Sequence, residues 1–166
     1  MRKFDHHGLL IAEYQGKLFE RSTDLDCSSG IFIRRFLHSD LLKKLDNDQL
    51  ASVSLDPSEG LNSILEQFGD TDYGSQKNSG SAMFWTGYMY RYIAYTREAK
   101  TGFIMKLFPY RQMNSVFYSF HTQDPEWCVQ NLMEMNHLNE NIFDNNYRLK
   151  EAMIKKKYYS KLVCST

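Results

Sequence analysis

One arginine lies among tyrosines in the most aromatic stretch of the sequence. Tyr88, Arg91 and Tyr95 are three and four residues apart, so their side chains are neighbours if the stretch is helical. An unpaired buried charge is costly, and the guanidinium must therefore reach solvent, stack on a ring or pair with a carboxylate. Two interpretations stay open: an internal ion pair or stacking clamp, or a pocket that holds an anion or a phosphate between tyrosine hydroxyls.

Three further residues are candidates for such an anion pocket. Arg97 and His121 are possible helpers of Arg91, and Tyr73 stands in a polar loop that could close over the pocket. This site would belong to a small enzyme or to a nucleotide-binding protein. The interpretation predicts a concave pocket at Arg91 and stabilisation by a phosphate ligand.

Acidic residues are concentrated in the middle of the chain. Between Asn47 and Tyr73 there are six acids and no base. Glu59 and Glu66 are seven residues apart and share a helix face. They could be paired catalytic carboxylates, a solvated acidic face, or a docking surface for a basic partner, either another protein or another region of this chain. Asp70 and Asp72, beside Tyr73 on its loop, are the candidate contact surface for another protein.

The C-terminal region is basic and offers a third function. Lys155, Lys156 and Lys157 precede two tyrosines, and aromatic side chains among bases can stack on single-stranded nucleic acid. A solvated tail is the alternative. If the tail binds nucleic acid, removing the residues after Tyr147 should abolish a salt-sensitive gel shift.

Neither a metal nor a cofactor is expected from the sequence. His6 and His7 are adjacent, which on a strand places them on opposite faces, and no histidine has a partner at ligand spacing. The motifs of nucleotide-binding loops, zinc proteases, serine hydrolases and EF-hands are missing from the sequence. Cysteine is present at three widely spaced positions, which is typical of reduced thiols in a cytoplasmic protein.

Composition and length predict one compact, mainly α domain. The 166 residues are 42% apolar and 14% aromatic, and three prolines and nine glycines are few for a turn-rich β fold. The net charge is zero, so no general attraction to nucleic acid or membrane is expected. No apolar run is long enough for a signal peptide or a membrane span, and we expect a cytoplasmic protein. A helical domain over residues 1–137 and a helical extension with a basic tail over 138–166 are predicted.

Five to seven helices and a short N-terminal β-hairpin are expected. The hairpin would pair residues 9–14 with 17–21 around a turn at Gly16. A central helix is predicted over residues 81–100 because it is apolar nearly all round. Helix starts are predicted at the caps Ser28 or Ser29, Ser39, Asp56 and Asp124, and a helix end at Gly69.

Four segments resemble a group of small Gram-positive bacterial proteins. They are residues 66–69 (EQFG), 73–74 (YG), 84–93 (FWTGYMYRYI) and 120–123 (FHTQ). The resemblance covers residues 14–135, and it implies an accessory or antitoxin-like protein near mobile elements or toxin–antitoxin modules. It transfers no catalytic residue.

The sequence therefore favours a non-enzymatic, regulatory α-helical protein that binds another bacterial protein, with a toxin as one candidate partner. The abundance of aromatic residues, which are common in interfaces, agrees with this hypothesis. An anion- or nucleotide-binding pocket and nucleic-acid binding through the tail are the alternatives.

Overall fold

The computed structural model describes residues 1–47, 49 and 53–144. This part of the chain contains eight α-helices and no strand, so the mainly α class is confirmed. The helices are α1 (His6–Arg21), α2 (Ser29–His38), α3 (Asp40–Asp46), α4 (Pro57–Phe68), α5 (Gly80–Thr96), α6 (Thr101–Leu107), α7 (Tyr110–Phe120) and α8 (Pro125–Met135). Short 3-10 helices follow at Ser22–Asp24 and Glu140–Phe143. Within the described residues, no helix is both long and apolar enough to cross a bilayer.

The predicted N-terminal hairpin is wrong, because a single helix, α1, runs through both of its strands. Asp5 caps this helix by accepting a hydrogen bond from Gly8 N at 2.9 Å. Ile11, Tyr14 and Leu18 are buried at helical spacing. The predicted count of five to seven helices is also too low, since α1 replaces the hairpin and α6 had not been expected.

Helix boundaries follow the caps that the sequence predicts. Ser28, Ser39 and Asp56 each accept a hydrogen bond from a backbone N–H of the first turn, at the starts of α2, α3 and α4. Gly69 ends α4 with a φ of 75°, which glycine adopts without steric cost. The fold thus places α4 between a cap and a glycine stop that are both encoded locally.

Helices α1 and α5 pack antiparallel with their backbones in close contact. A Cβ on Gly87 would lie 2.7 Å from the carbonyl oxygen of Gln15, so only glycine allows this approach. Nearly every residue of α5 from Ala82 onwards is buried, as expected for a central helix. The helix ends at Thr96, four residues before the predicted end, and Glu98 follows with a φ of 49°.

The chain divides into two compact units, Met1–Val129 and a second that begins at Gln130. The first unit contains α1 to α7 and the start of α8, and all the sites below lie in it. In the second unit, Asn139 caps the 3-10 helix by accepting a hydrogen bond from Asn141 N at 3.1 Å. The boundary expected after residue 137 stays a prediction.

Candidate functional site

The Arg91 side chain is buried and paired inside the first unit. Its Nε donates to Gln15 Oε1 at 2.9 Å, and its Nη1 donates to Asp46 Oδ1 at 3.0 Å. The side chains of Arg91 and Asp46 are only 4% and 10% exposed. Of the two interpretations given for Arg91, this geometry matches the internal ion pair.

The partners of Arg91 connect four helices. Asp46, the last residue of α3, accepts hydrogen bonds from Thr101 N at 3.0 Å and from Thr101 Oγ1 at 2.7 Å, at the start of α6. On the other side, Gln15 Nε2 of α1 donates to the Gly87 carbonyl of α5 at 2.9 Å. The guanidinium of Arg91 therefore links α5 to α1 and α3, and Asp46 extends the network to α6.

Arg91 also lines a small cavity together with Tyr95. The cavity has a volume of about 200 Å³, and its lining includes the basic residues Arg2 and Lys100. The Arg2 guanidinium lies over the Tyr95 ring at 3.9 Å from its centroid, and Lys100 Nζ donates to the Asp46 carbonyl at 2.7 Å. These cations already have partners within the protein.

The structure places Arg97 in a different cluster from Arg91. The Arg97 guanidinium forms a two-pronged ion pair with Glu126 of α8, and Tyr92 OH donates to the same carboxylate at 3.2 Å. Burial and the negative charge of Glu126 raise the pKa of Tyr92 above its ordinary value. This cluster attaches the end of α5 to the start of α8.

Tyr88 and His121 are in two further places. The Tyr88 ring packs against Phe4 and Phe84, with centroid distances of 6.3 and 6.2 Å. Burial raises its pKa. His121 Nδ1 lies 2.9 Å from the Phe117 carbonyl, at the end of α7. Among the described residues, neither lines the Arg91 cavity.

Tyr73 lies on the loop between α4 and α5, with 72% of its surface exposed. The loop is attached to the start of α2, because Ser28 N donates to the Tyr73 carbonyl and Ser29 N donates to the Gln76 carbonyl, both at 3.1 Å. Asp72, next to it, is exposed. Tyr73 is not among the described residues that line the Arg91 cavity.

Carboxylates also line three neighbouring cavities on and beside α4. The largest of these three, of about 550 Å³, is bounded by α1, α3 and α4, and Glu59 and Glu66 both line it. Glu66 also lines a shallow cavity of about 370 Å³, which continues to Asp70 beyond the end of the helix. Asp70 in turn lines a third cavity of about 140 Å³ beside Asp24 and Asp26. We call these three linked cavities the acidic groove.

Negative charge dominates the acidic groove. Among the described residues, six carboxylates and two cations line it: Asp24, Asp26, Asp40, Glu59, Glu66 and Asp70 against Arg35 and Lys44. Arg35 donates to the carbonyls of Phe68 and Gly69 at the end of α4. Its positive charge therefore interacts favourably with the C-terminal end of the helix dipole. Glu59, Glu66 and Asp70 form no ion pair within the described part of the chain.

The sequence pattern found part of the acidic groove. The seven-residue spacing of Glu59 and Glu66 correctly placed them on one face, and Asp70, beyond the end of α4, lines a cavity that Glu66 also lines. Asp72 lines none of the three cavities. Tyr14 and Gly60, which also line the largest cavity, had not been singled out, because they meet only through tertiary packing.

Several other predictions concern metals, thiols and the tail. In the described residues, no group of three or more His, Cys, Asp or Glu side chains could hold a metal ion. Cys27 and Cys128 are buried free thiols, and burial raises the pKa of Cys128 to about 11. Lys155, Lys156 and Lys157 lie outside the described residues.

Comparisons with known proteins identify no relative: no protein-family model, curated protein or solved structure matches this chain.

Proposed function

We propose that this chain is a non-enzymatic protein-interaction domain that binds a positively charged segment of another protein in the acidic groove. The observation that carries the proposal is the row of carboxylates along α4, in which Glu59, Glu66 and Asp70 form no ion pair among the described residues. Like charges held together repel each other, and a cationic partner relieves that repulsion. The groove therefore favours a basic ligand.

The contrast with the buried arginines supports this assignment. Arg91 and Arg97 have carboxylate partners inside the protein, Asp46 and Glu126. The groove carboxylates, in contrast, lie at the surface. The resemblance to antitoxin-like proteins favours a bacterial partner, and a basic toxin fits the same charge pattern.

Co-purification with matched charge variants tests the proposal. The wild-type chain, expressed with an affinity tag in its native host, should recover a stoichiometric partner with a basic surface. The Glu59→Gln/Glu66→Gln variant should lose that partner at physiological salt. A control variant, Glu20→Gln/Glu98→Gln, removes the same charge from two exposed residues that line none of the three groove cavities. If the groove variant retains the partner as well as the control does, the groove is not the binding site.

A second candidate function rests on the cavity beside Arg91. Three cations, Arg2, Arg91 and Lys100, and two carboxylates, Asp46 and Glu98, line a space of about 200 Å³, which is large enough for a small anion. If this cavity binds phosphate or a nucleotide, the ligand should raise the unfolding temperature, and Arg2→Gln should remove the effect. No stabilisation by phosphate, nucleotides or NAD would exclude this candidate.

A further inference from the structure

Tyr14 lies at the floor of the acidic groove with a hydroxyl that none of the described residues satisfies. The residue is 3% exposed and lines the largest cavity. Its Oη has no hydrogen-bond partner among the described residues. A buried hydroxyl without a partner destabilises the fold, so such a group calls for an explanation.

Gly60 allows the hydroxyl to reach this position. A Cβ at residue 60 would lie 2.2 Å from Tyr14 Oη, which is far inside van der Waals contact. Any other residue at this point of α4 would displace the tyrosine. The hydroxyl therefore lies against the α4 backbone, at a residue that also lines the cavity.

The surroundings of Tyr14 define the chemistry of a ligand. Burial, together with the negative charges of Asp56 and Glu59, raises its pKa to about 12, and the hydroxyl is neutral at physiological pH. A neutral hydroxyl oxygen accepts hydrogen bonds, and carboxylates in the same cavity attract a cation. Ser63 Oγ donates to the Gly60 carbonyl at 2.8 Å, which leaves its own lone pairs as further acceptors.

We propose that the largest cavity of the acidic groove binds an arginine side chain of the partner protein. Tyr14 Oη accepts a hydrogen bond from the guanidinium at the floor, and Glu59 and Glu66 balance its charge at the rim. This inference rests on the proposed function above and names the group that is recognised. The volume of this cavity, about 550 Å³, is within the range of ligand pockets, roughly 300–1,000 Å³.

The arrangement of hydrogen-bond acceptors in this cavity favours an arginine side chain over a lysine side chain. A guanidinium has five N–H donors in a planar fork and can reach the floor and the rim at once. An ammonium is a compact point charge with strong hydration, which suits the exposed rim carboxylates better than the buried floor. Tyr14 therefore adds a buried acceptor that suits a guanidinium, beyond the preference that carboxylates already have for its planar fork.

Fluorescence anisotropy with hexa-arginine and hexa-lysine peptides at equal ionic strength tests this inference. We expect wild-type protein to bind hexa-arginine about tenfold more tightly, the size expected for one hydrogen bond to a charged group. Tyr14→Phe should weaken hexa-arginine binding by about that factor and leave hexa-lysine binding unchanged. Tyr118→Phe is the matched control, because this tyrosine is 81% exposed and lines none of the groove cavities.

The outcomes separate the inference from the proposed function. If both peptides bind with equal affinity, or if Tyr14→Phe weakens neither, the arginine site is overturned. In that case the groove itself stands, provided that Glu59→Gln/Glu66→Gln weakens both peptides. If neither peptide binds the wild-type protein, the proposed function fails, and the inference fails with it. The comparison of two peptides on wild-type protein does not depend on how any variant folds.

Discussion

A buried guanidinium requires a counter-charge, and in this protein Asp46 supplies it to Arg91. The same carboxylate accepts hydrogen bonds from the backbone and side chain of Thr101. One residue therefore neutralises a charge in the core and also satisfies the first turn of α6. The stability of this region depends on the negative charge of Asp46 more than on its shape.

We expect Asp46→Asn to lower the free energy of unfolding by about 2–3 kcal/mol, because it removes the counter-charge that Asp46 supplies to the buried Arg91 guanidinium. Asp40→Asn is the control. Asp40 pairs with Lys43, but both side chains are more than 60% exposed, and such pairs contribute at most about 1 kcal/mol. Urea denaturation of the three proteins measures both effects. Equal losses for the two variants would contradict the role given to Asp46.

The contact between Tyr14 and Gly60 predicts a strong coupling between two substitutions. Gly60→Ala alone should destabilise the protein by about 1–2 kcal/mol, because the new Cβ overlaps the Tyr14 hydroxyl. Without that hydroxyl, the nearest atoms to the Cβ lie at 3.3 Å. In the Tyr14→Phe background, Gly60→Ala should therefore be less destabilising by about 1 kcal/mol, because only the methyl groups of Leu18 and Leu41 must shift.

A double-mutant cycle in urea measures this coupling. It uses the wild type, the two single variants and the double variant. If Gly60→Ala has the same effect in both backgrounds, the Tyr14 hydroxyl does not lie against Gly60, and it does not form the floor of the cavity.

At the scale of elements, the antiparallel pair of α1 and α5 carries the fold. Gly87 brings the two backbones into contact, and Gln15 crosses the contact with a hydrogen bond to the Gly87 carbonyl. A glycine inside a helix costs about 0.5–1 kcal/mol relative to alanine. Close packing of two helices offsets that cost, as the burial of nearly all of α5 indicates.

Gly87→Ala should destabilise the protein by about 1–3 kcal/mol, because its Cβ would meet the Gln15 carbonyl. Gly80→Ala, at the start of the same helix, is the matched control. There the nearest atom would be Glu20 Cγ at 3.6 Å, an ordinary contact, so the change should be within about 0.5 kcal/mol. Thermal unfolding followed by circular dichroism compares the two variants. A loss at Gly80 as large as that at Gly87 would argue against backbone contact between the helices.

The N-terminal cap of α1 predicts a pH effect. Gly8 N–H and Tyr95 OH both donate hydrogen bonds to the Asp5 carboxylate. These two bonds, the one from Gly8 contributing more, hold the pKa of Asp5 below its ordinary value of 3.8. A carboxylate with a lowered folded pKa stabilises the fold above its unfolded pKa, and this contribution is lost as the pH falls through the folded pKa. Below about pH 4, the stability of the wild type should therefore fall more steeply than that of Asp5→Asn. Urea titrations from pH 6 to pH 2 measure this difference, and parallel curves would contradict it.

Local sequence signals explain which elements were predictable. Serine and aspartate caps marked the starts of α2, α3 and α4, and apolar spacing marked the inward face of α2. In α4, only Ile64 of the predicted apolar stripe is buried. The α1 helix was mistaken for a hairpin because Gly16 suits a tight turn. In the structure, Gly16 instead lets α1 approach Phe84 of α5. A single sequence does not distinguish these two uses of glycine.

Part of the candidate site was likewise predictable from local sequence, and part was not. The spacing of Glu59 and Glu66 is local, so the acidic face of α4 was predictable. The partners of Arg91 come from α1 and α3, and Tyr14 meets Gly60 across two helices. Such pairs depend on the tertiary arrangement of distant segments, and no spacing within the chain reveals them.

At the scale of the whole molecule, charges are used in two ways. Arg91 and Arg97 pair with carboxylates inside the first unit and hold helices together. The carboxylates along α4 remain at the surface, where they create a negative potential that attracts cations from solution. The zero net charge of the chain therefore conceals a local acidic surface.

The most direct test of this account is a titration of ¹⁵N-labelled protein with hexa-lysine peptide, followed by NMR. We predict that amide shifts are confined to the residues that line the acidic groove, in α3, α4 and the segments around Tyr14, Asp24 and Asp70, and that they disappear when 0.5 M salt is added. Shifts that centre instead on Arg91 and Tyr95, shifts that persist in high salt, or no shifts at all would contradict the assignment of the acidic groove as the binding site.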